Sequence, residues 1–494
     1  MSNLSVKTRY GIFDGFLDKN GVQTWLGIPF AQPPVENLRW QAPQKLQPSD
    51  KTFDAKKFGS SPMKAEIKID VFVKEEDNTQ NEDCLTLNIW KRGEKKNLPV
   101  MVFIYGGAFL SGSSSEGGYN GSNFAAANDV VLVTINYRGN IFGFMSLAAV
   151  DKNFEDSGYL GTKDQIAALQ WVKENISAFG GNPDNITVFG ESAGSISTML
   201  LTVTPAAKGL FQKVIPQSGH VYFYNEPEIS AQFTEKFMSF IGAKKIDDLM
   251  KKSAVELQQL YKKFSSSRKS SNIAELFPMC DGKFLPKNPL QALKDGAARG
   301  IKFLTGTTAD EWRAFLTGSE NFFKVYRNEP EKISAVIRRY KAKTSEEIYK
   351  NWLKNRPDTE DNFADFATLI DWRIGQEISA EYQSNFEDVY FYVFSEQAPP
   401  PFEYLRAFHA FDLPFTFNNG DEMLPNPAPN LVKAIQSSWV AFATTGNPDN
   451  EFIPHWEKYS AANRQTMELN SNGCTLHKDF NTENLNALRY VYES

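Results

Sequence analysis

The chain has 494 residues, of which 41% are hydrophobic and 23% charged, as is typical of a folded globular protein. Its net charge of −6 argues against nucleic acid or an anionic membrane as its main partner. No apolar run approaches the ~20 residues that a membrane-spanning helix needs, so no membrane span is expected.

The N-terminus and the cysteines indicate a cellular location. The first residues, MSNLSVKTRYGIF, contain no apolar segment of the kind found in secretory signal peptides. Cys84, Cys280 and Cys474 are few and lack metal-ligand spacing, so we expect small buried residues in a reducing compartment. The sequence thus predicts a cytoplasmic protein that binds no metal.

The predicted elements begin with a β-hairpin, because two short alternating segments flank Lys19, Asn20 and Gly21. Long apolar runs then predict buried parallel strands at residues 98–107, 129–138 and 184–192. Further strands are predicted from Lys213, from Gly300, at 388–395 and in QTMELN near the C-terminus.

Helical patterns alternate with these strands. Ile166, Leu169, Val172 and Ile176 share one helix face, and Gly180 is predicted to end that helix. A second helix is predicted to end at Gly446. The alternation predicts an α/β fold with a mainly parallel sheet flanked by helices. The more helical and charged residues 225–295 and 315–385 are expected to be cap-forming insertions in a single domain, 1–494.

The segment FGESAGS contains the only Gly-x-Ser-x-Gly pattern in the chain, centred on Ser192. A predicted strand precedes it and a predicted helix follows it, which is the context of a nucleophile on a sharp turn. Gly190 and Gly194 allow the backbone to approach neighbouring elements where a Cβ would clash. Ser192 is therefore a candidate nucleophile.

A serine nucleophile needs a base, and the chain has four histidines. In enzymes with such a turn, the acid and then the base follow the serine along the chain. His220 closely follows the next strand and is expected to be structural, whereas His455 and His477 lie in polar segments and are expected to be solvated. His409, in the aromatic segment LRAFHAFDLPFTF, is the best candidate base.

The acid that orients the base is expected after a strand between Ser192 and His409. The segment IKFLTGTTADEW places Asp310 and Glu311 at the end of such a strand. The pattern alone does not choose between these two carboxylates.

Backbone N–H groups are needed to stabilise the oxyanion that forms during acyl transfer. The segment IYGGAFLSG follows a strong predicted strand, and its paired glycines would let the backbone approach a substrate. The alternative interpretation is a Gly-Gly turn without a functional role, but the predicted serine turn downstream favours an oxyanion-binding loop.

Taken together, these segments resemble the type-B carboxylesterase family of α/β-hydrolases, and most of all its bacterial para-nitrobenzyl esterases. The similarity covers nearly the whole chain. It rests on ordered motifs that include GIPFAQPP, LRWQAP, NEDCLTLNIW, VFIYGGAFLSG, GNPDNITVFGESAGS, GTTADEW, AFHAFDLPFTF and SSWVAFATTGNP.

The resemblance implies an α/β-hydrolase fold and a role for each matched residue. Ser192 would be the nucleophile, His409 the base and Glu311 the acid, since Glu311 occupies the glutamate of the family's Gly-x-x-x-Asp-Glu stretch. The oxyanion donors would be the N–H groups of Gly107, Ala108 and Ala193. Ser218 would lie beside the acid, and two ion pairs, Arg39 with Glu82 and Arg138 with Asp164, would be structural.

The sequence departs from the family pattern at several positions. Nothing upstream of Cys84 is a cysteine, so the disulfide of secreted relatives cannot form. Ala108 replaces a third glycine, Asp412 stands where glutamate is common, and Trp312 stands where glycine is common. The segment after Arg138 lacks the usual Leu-Gly. Of these, only Trp312, beside Glu311, is expected to reshape the substrate pocket.

The expected function is hydrolysis of small-molecule carboxylic esters, of short to medium chain or with aryl groups, through an acyl-enzyme. A long-chain lipase is the alternative enzyme, and a non-catalytic binding module of the same fold is the alternative from another class. No cofactor is expected. The sequence does not give the oligomeric state, for which a monomer is the default.

Overall fold

The computed structural model describes residues 4–65, 79–268, 273–316 and 342–493. Its strands are β1 Ser5–Thr8, β2 Gly11–Asp14, β3 Phe16–Leu17, β4 Val22–Pro29, β5 Thr52–Asp54, β6 Thr86–Arg92, β7 Leu98–Ile104, β8 Val131–Ile135, β9 Gly181–Glu191, β10 Lys213–Gln217, β11 Lys302–Thr308, β12 Val389–Phe394, β13 Gln465–Leu469 and β14 Thr475–Lys478.

These strands form two sheets. In the described residues the larger sheet has 11 strands in the order β14-β13-β12-β11-β10-β9-β7-β8-β6-β4-β3, and β1, β2 and β5 form a small separate sheet. The seven strands from β8 to β13 in this order are all parallel. Antiparallel strands lie at both edges, with β6, β4 and β3 on one side and β14 on the other.

Helices flank this sheet, as the alternating sequence pattern predicts. The α-helices are Ser122–Ala127, Asn140–Gly143, Leu160–Asn175, Ala193–Val203, Pro227–Ile241, Ile246–Met250, Ala254–Ser266, Pro289–Lys294, Arg313–Leu316, Ala342–Trp352, Glu360–Thr368, Ile374–Ser384, Leu413–Phe417, Pro429–Thr445 and Thr482–Glu493. Short 3₁₀ turns include Lys152–Tyr159, Ile176–Phe179 and Glu403–Leu405, and a π-helical turn covers Leu369–Arg373.

The central strands are buried along their whole length and are mostly apolar. Every residue of β7, β8, β10 and β12 is buried, as expected for strands covered on both faces. The predicted hairpin is confirmed by the antiparallel pairing of β3 with β4. The prediction missed β6, an antiparallel neighbour of β8 whose residues are mostly buried.

Two predicted helix ends are confirmed by the left-handed glycines that follow them. Gly180 has φ of +87° and Gly446 has φ of +83°, a conformation that glycine adopts without strain. The first helix differs in detail, because its α-helical part ends at Asn175 and Ile176 begins a 3₁₀ turn.

The two predicted insertions are helical where the structure describes them, and residues 269–272 and 317–341 lie outside the described residues. That they form a cap remains a prediction. Within the described ranges, no helix is both long and apolar enough to cross a membrane.

Candidate active site

Ser192 lies in the sharp turn between β9 and the helix Ala193–Val203. Its φ of +56° and ψ of −122° are strained for a residue with a Cβ. The flanking glycines make the turn possible: a Cβ at Gly194 would overlap the carbonyl oxygen of Ile104, and one at Gly190 would lie 2.6 Å from the Gly194 carbonyl. The turn leaves Ser192 half-buried at the carboxyl edge of the sheet.

His409 and Glu311 form a buried pair beside this turn. Glu311 follows β11, His409 follows β12, and Nδ1 of His409 lies 2.5 Å from Oε2 of Glu311. Glu311 is fully buried and accepts two further hydrogen bonds, from Ser218 Oγ at 2.6 Å and from the Thr308 N–H at 2.8 Å. These contacts orient the carboxylate toward the imidazole.

Asp310, the alternative candidate for the acid, points away from His409. Asp310 accepts a hydrogen bond from the Ala407 N–H at 3.3 Å and lies 3.7 Å from the Arg406 guanidinium. Of the two neighbours, only Glu311 contacts His409 through its side chain.

The second nitrogen of His409 faces the turn that carries Ser192. Nε2 lies 3.2 Å from Oε1 of Glu191, and in the described part of the chain it has no hydrogen-bond partner. The structure therefore brings His409 to the Glu191–Ser192 turn without a hydrogen bond to the serine hydroxyl. Hydrogen bonds between catalytic groups are often long before substrate binds.

Three buried carboxylates set the electrostatics around His409. Burial would lower the pKa of His409, but the negative charges of Glu191 and Glu311 outweigh it and raise the pKa above its usual value. Burial raises the pKa of Glu191, and attraction to His409 offsets only part of that effect. Burial also raises the pKa of Asp412 to about 6, against the hydrogen bond from Gln217.

The loop after β7 supplies backbone N–H groups close to Ser192. A Cβ at Gly106 would lie 3.0 Å from the Ser192 Cβ. Gly107 and Ala108 follow with φ of +99° and +55° and are half-buried. Among the described residues, none accepts a hydrogen bond from the N–H of Gly107, Ala108 or Ala193. These three donors are thus available to a substrate oxygen.

Aromatic side chains surround the imidazole. The ring centroids of Trp372 and Phe315 lie 4.5 Å and 5.2 Å from that of His409. Ring contacts continue from Trp372 toward the loop after β7 through Phe223, Phe277 and Phe109. These rings form an aromatic wall that gives the site an apolar side next to His409.

The remaining histidines behave as expected. His220 is buried, accepts from the Tyr222 N–H at Nδ1 and contacts the Asp371 carbonyl through Nε2, so it holds local structure. His455 is exposed beside Asp449, and His477 is partly exposed beside Glu468. The expected ion pairs also form, with 2.6 Å between Arg39 and Glu82 and 2.7 Å between Arg138 and Asp164.

The three cysteines are unpaired. Cys84 and Cys280 are buried, as expected, whereas Cys474 is half-buried. The described residues contain no group of three His, Cys, Asp or Glu side chains arranged to hold a metal ion.

Sequence reasoning gave no role to Glu191, Trp372 or Arg373. Glu191 stands next to Ser192 in the motif itself, so its position in the motif could have indicated that it lies in the site. Trp372 and Arg373 are about 180 positions from Ser192 and belong to no motif, so only the folded chain reveals that Trp372 contacts His409 and that Arg373 donates to the Thr308 carbonyl.

The chain is similar to known proteins over nearly its whole length. The Carboxylesterase family model matches residues 2–488. The chain is 37% identical over 484 residues to a para-nitrobenzyl esterase of Bacillus subtilis, covering 95% of this chain and 96% of the relative. It is 31% identical to a medium-chain fatty acyl-CoA hydrolase precursor of Anas platyrhynchos, covering 93% of this chain and 87% of the relative.

Solved structures show the same similarity. A PNB esterase structure superposes with a TM-score of 0.85 at 35% identity, covering 98% of this chain and 99% of the other. A carboxylesterase of Geobacillus stearothermophilus superposes with a TM-score of 0.85 at 31% identity, covering 98% and 100%. The chain therefore belongs to the carboxylesterase family and is a carboxylic ester hydrolase with the α/β-hydrolase fold.

Proposed function

We propose that this enzyme hydrolyses esters through an acyl-enzyme on Ser192, with His409 as the base and Glu311 as the acid. The observation that carries the proposal is the strained Ser192 turn beside the buried His409–Glu311 pair. A hydroxyl needs an adjacent base to become an effective nucleophile, and that base needs a partner to stabilise its charged form.

In the first half-reaction, Ser192 Oγ attacks the ester carbonyl while His409 Nε2 takes its proton. Glu311 holds Nδ1–H and stabilises the imidazolium. His409 then protonates the departing alcohol, which leaves an acyl group on Ser192. Water repeats the same steps with the acyl-enzyme and releases the carboxylic acid, so that the enzyme returns to its starting state.

The oxyanion formed in each step would be held by the N–H groups of Gly107, Ala108 and Ala193. The free backbone donors beside Ser192 support this assignment, and the first turn of the helix Ala193–Val203 adds a favourable dipole. We assign Ser218 to positioning Glu311 through its hydrogen bond to Oε1.

We propose esters of short to medium acyl chains, or with aryl groups, as substrates. The aromatic wall beside His409 supports an apolar or aryl group at that side of the site. Relatives named as a para-nitrobenzyl esterase and a medium-chain fatty acyl-CoA hydrolase are consistent with this class.

The test is a series of p-nitrophenyl esters from acetate to laurate, with active sites titrated by an organophosphate. We expect kcat/KM to be highest at short or medium length and each chain to release one equivalent of p-nitrophenol in the titration. A maximum of kcat/KM at laurate, with a further rise in rate above the critical micelle concentration of that substrate, would indicate a lipase. No release at all would indicate a binding module.

Glu191 gives a prediction about pH. Hydrolysis needs neutral His409, so kcat/KM should fall as pH drops through the His409 pKa. Since the Glu191 charge raises that pKa, Glu191→Gln should lower it and move the acid limb of the profile down by about one pH unit. The measurement is kcat/KM against pH with p-nitrophenyl acetate, corrected for spontaneous hydrolysis. An acid limb that stays in place or moves to higher pH would contradict the assignment of the base.

A further inference from the structure

Arg373 is a buried guanidinium that the proposed reaction does not use. It is 3% exposed and lies at the end of the π-helical turn Leu369–Arg373, between the helices Glu360–Thr368 and Ile374–Ser384. The Ile374 N–H donates to the Leu369 carbonyl, five residues back. Such π turns inside helices are frequent at functional sites.

The contacts of Arg373 lead directly to the acid. Its Nη2 donates to the Thr308 carbonyl at 3.0 Å, and its Nε donates to the Thr307 hydroxyl. Thr308 in turn donates its N–H to Oε1 of Glu311 at 2.8 Å. The guanidinium therefore holds the end of β11 from behind, and that same backbone holds the Glu311 carboxylate.

The charge of Arg373 is not neutralised in a salt bridge. Across the ranges that the structure describes, no carboxylate lies within 4.0 Å of its guanidinium, although Arg138, Arg313 and Arg489 each have one. An arginine stays charged even where it is buried, and an unpaired buried charge is costly. The carboxylates that act on it from a longer distance include Glu377 and Glu311.

The same turn contacts His409 and the end of the strand behind Glu311. Trp372 packs against the His409 ring. Thr368, the residue just before the turn, accepts a hydrogen bond at 3.1 Å from the N–H of Trp312, which follows Glu311 in the chain. The turn thus lies against His409 through Trp372 and behind Glu311 through Arg373.

We propose that Arg373 is a positioning residue that fixes the β11 backbone behind Glu311 and whose positive charge offsets the carboxylates around His409. This inference rests on the proposed roles of Ser192, Glu311 and His409. It assigns Arg373 no contact with substrate.

The sign of the expected pH effect follows from the charges that face each group. His409 faces Glu191 at Nε2, Glu311 at Nδ1 and Asp412 on its own segment. The charges near Arg373 are Glu377 on the following helix, and Glu311 and Asp310 after β11, with Tyr459 also close. Removing the positive charge would leave the carboxylates around His409 unbalanced, which raises the pKa of His409. The active form would then appear only at higher pH.

The experiment compares Arg373→Met and Arg373→Gln, which remove the charge, with Arg373→Lys, which keeps it. The control is Arg489→Met, since Arg489 is another largely buried arginine and pairs with Glu381, with Glu377 at 4.0 Å. For each variant, kcat/KM for p-nitrophenyl acetate is measured against pH per organophosphate-titrated site. Thermal melting checks that each protein is folded.

We expect both neutral variants to move the acid limb up by about one pH unit. Arg373→Lys and Arg489→Met should leave the limb where it is, even if they lower stability. An unshifted limb in Arg373→Gln, or an equal shift in Arg489→Met, would overturn the inference. If neither neutral variant folds while Arg373→Lys has an unchanged profile, Arg373 is purely structural and the inference is also overturned.

These outcomes separate the inference from the proposed function. Normal hydrolysis by Ser192→Ala would contradict the acyl-enzyme itself, whatever the Arg373 variants do. Loss of activity in Ser192→Ala together with unshifted Arg373 variants would contradict only the role of Arg373.

Discussion

Ser192→Ala is expected to lower kcat for p-nitrophenyl acetate by about 10⁴-fold or more. The variant keeps the backbone donors near Gly107, so a small rate above water should remain, but it has no oxygen to attack the ester. Because alanine is smaller than serine and accepts the same turn, the fold should be retained. Steady-state assays at substrate saturation, with thermal melting beside them, measure both effects.

Ser195→Ala is the matched control for that variant. Ser195 lies one helical turn along from Ser192, is fully buried, and donates its hydroxyl to the Gly219 carbonyl at 3.0 Å. Its loss should cost stability, about 1 kcal/mol, and leave kcat per titrated site nearly unchanged. Near-normal hydrolysis by Ser192→Ala would show that another group is the nucleophile.

Glu311→Gln is expected to lower kcat by about 10³–10⁴-fold. The amide is nearly isosteric with the carboxylate, but it has no charge to stabilise the imidazolium and its NH₂ group cannot accept the Nδ1–H of His409. The buried carboxylate also accepts from Ser218 and Thr308, so some stability should be lost as well. Single-turnover measurements with p-nitrophenyl acetate would report the acylation step directly.

Asp310→Asn is the control that shows whether the loss of kcat in Glu311→Gln is specific to Glu311. Asp310 precedes Glu311 in the chain, yet its carboxylate bonds the Ala407 backbone and lies near the partly exposed Arg406. An asparagine oxygen can accept the same N–H, and a partly exposed ion pair contributes little. We expect kcat within about threefold of the unchanged enzyme. The reverse ranking of the two variants would move the acid to Asp310.

The sequence pattern predicted the parts of the fold that depend on local order, and it named candidate site residues that the fold brings close together. Apolar runs separated by amphipathic helices give a parallel sheet, and the glycines around Ser192 mark a tight turn because no other residue fits there. His409 could be chosen as the candidate base because the chain has four histidines and only this one follows a late strand in an aromatic segment. The choice between Asp310 and Glu311 depended on the family resemblance, since adjacent carboxylates point in different directions only once the turn after β11 is built.

Other parts depend on contacts between distant segments, which no local pattern encodes. β6 was missed because its polar Asn88 and Lys91 break the apolar run, although both are buried against neighbouring strands. The aromatic wall draws on residues from Phe109 to Trp372. Likewise, Arg373 reads as an ordinary helix residue until the fold places it behind Glu311.

The most direct test of the central claim is to capture the acyl-enzyme on Ser192. The enzyme is mixed with excess p-nitrophenyl acetate, quenched in acid within milliseconds and examined by intact and peptide mass spectrometry. We predict a burst of one p-nitrophenol per chain and an acetyl group on the peptide that contains Ser192, with both absent in Ser192→Ala. An acetyl group at another residue, or a full burst from Ser192→Ala, would contradict the proposed mechanism.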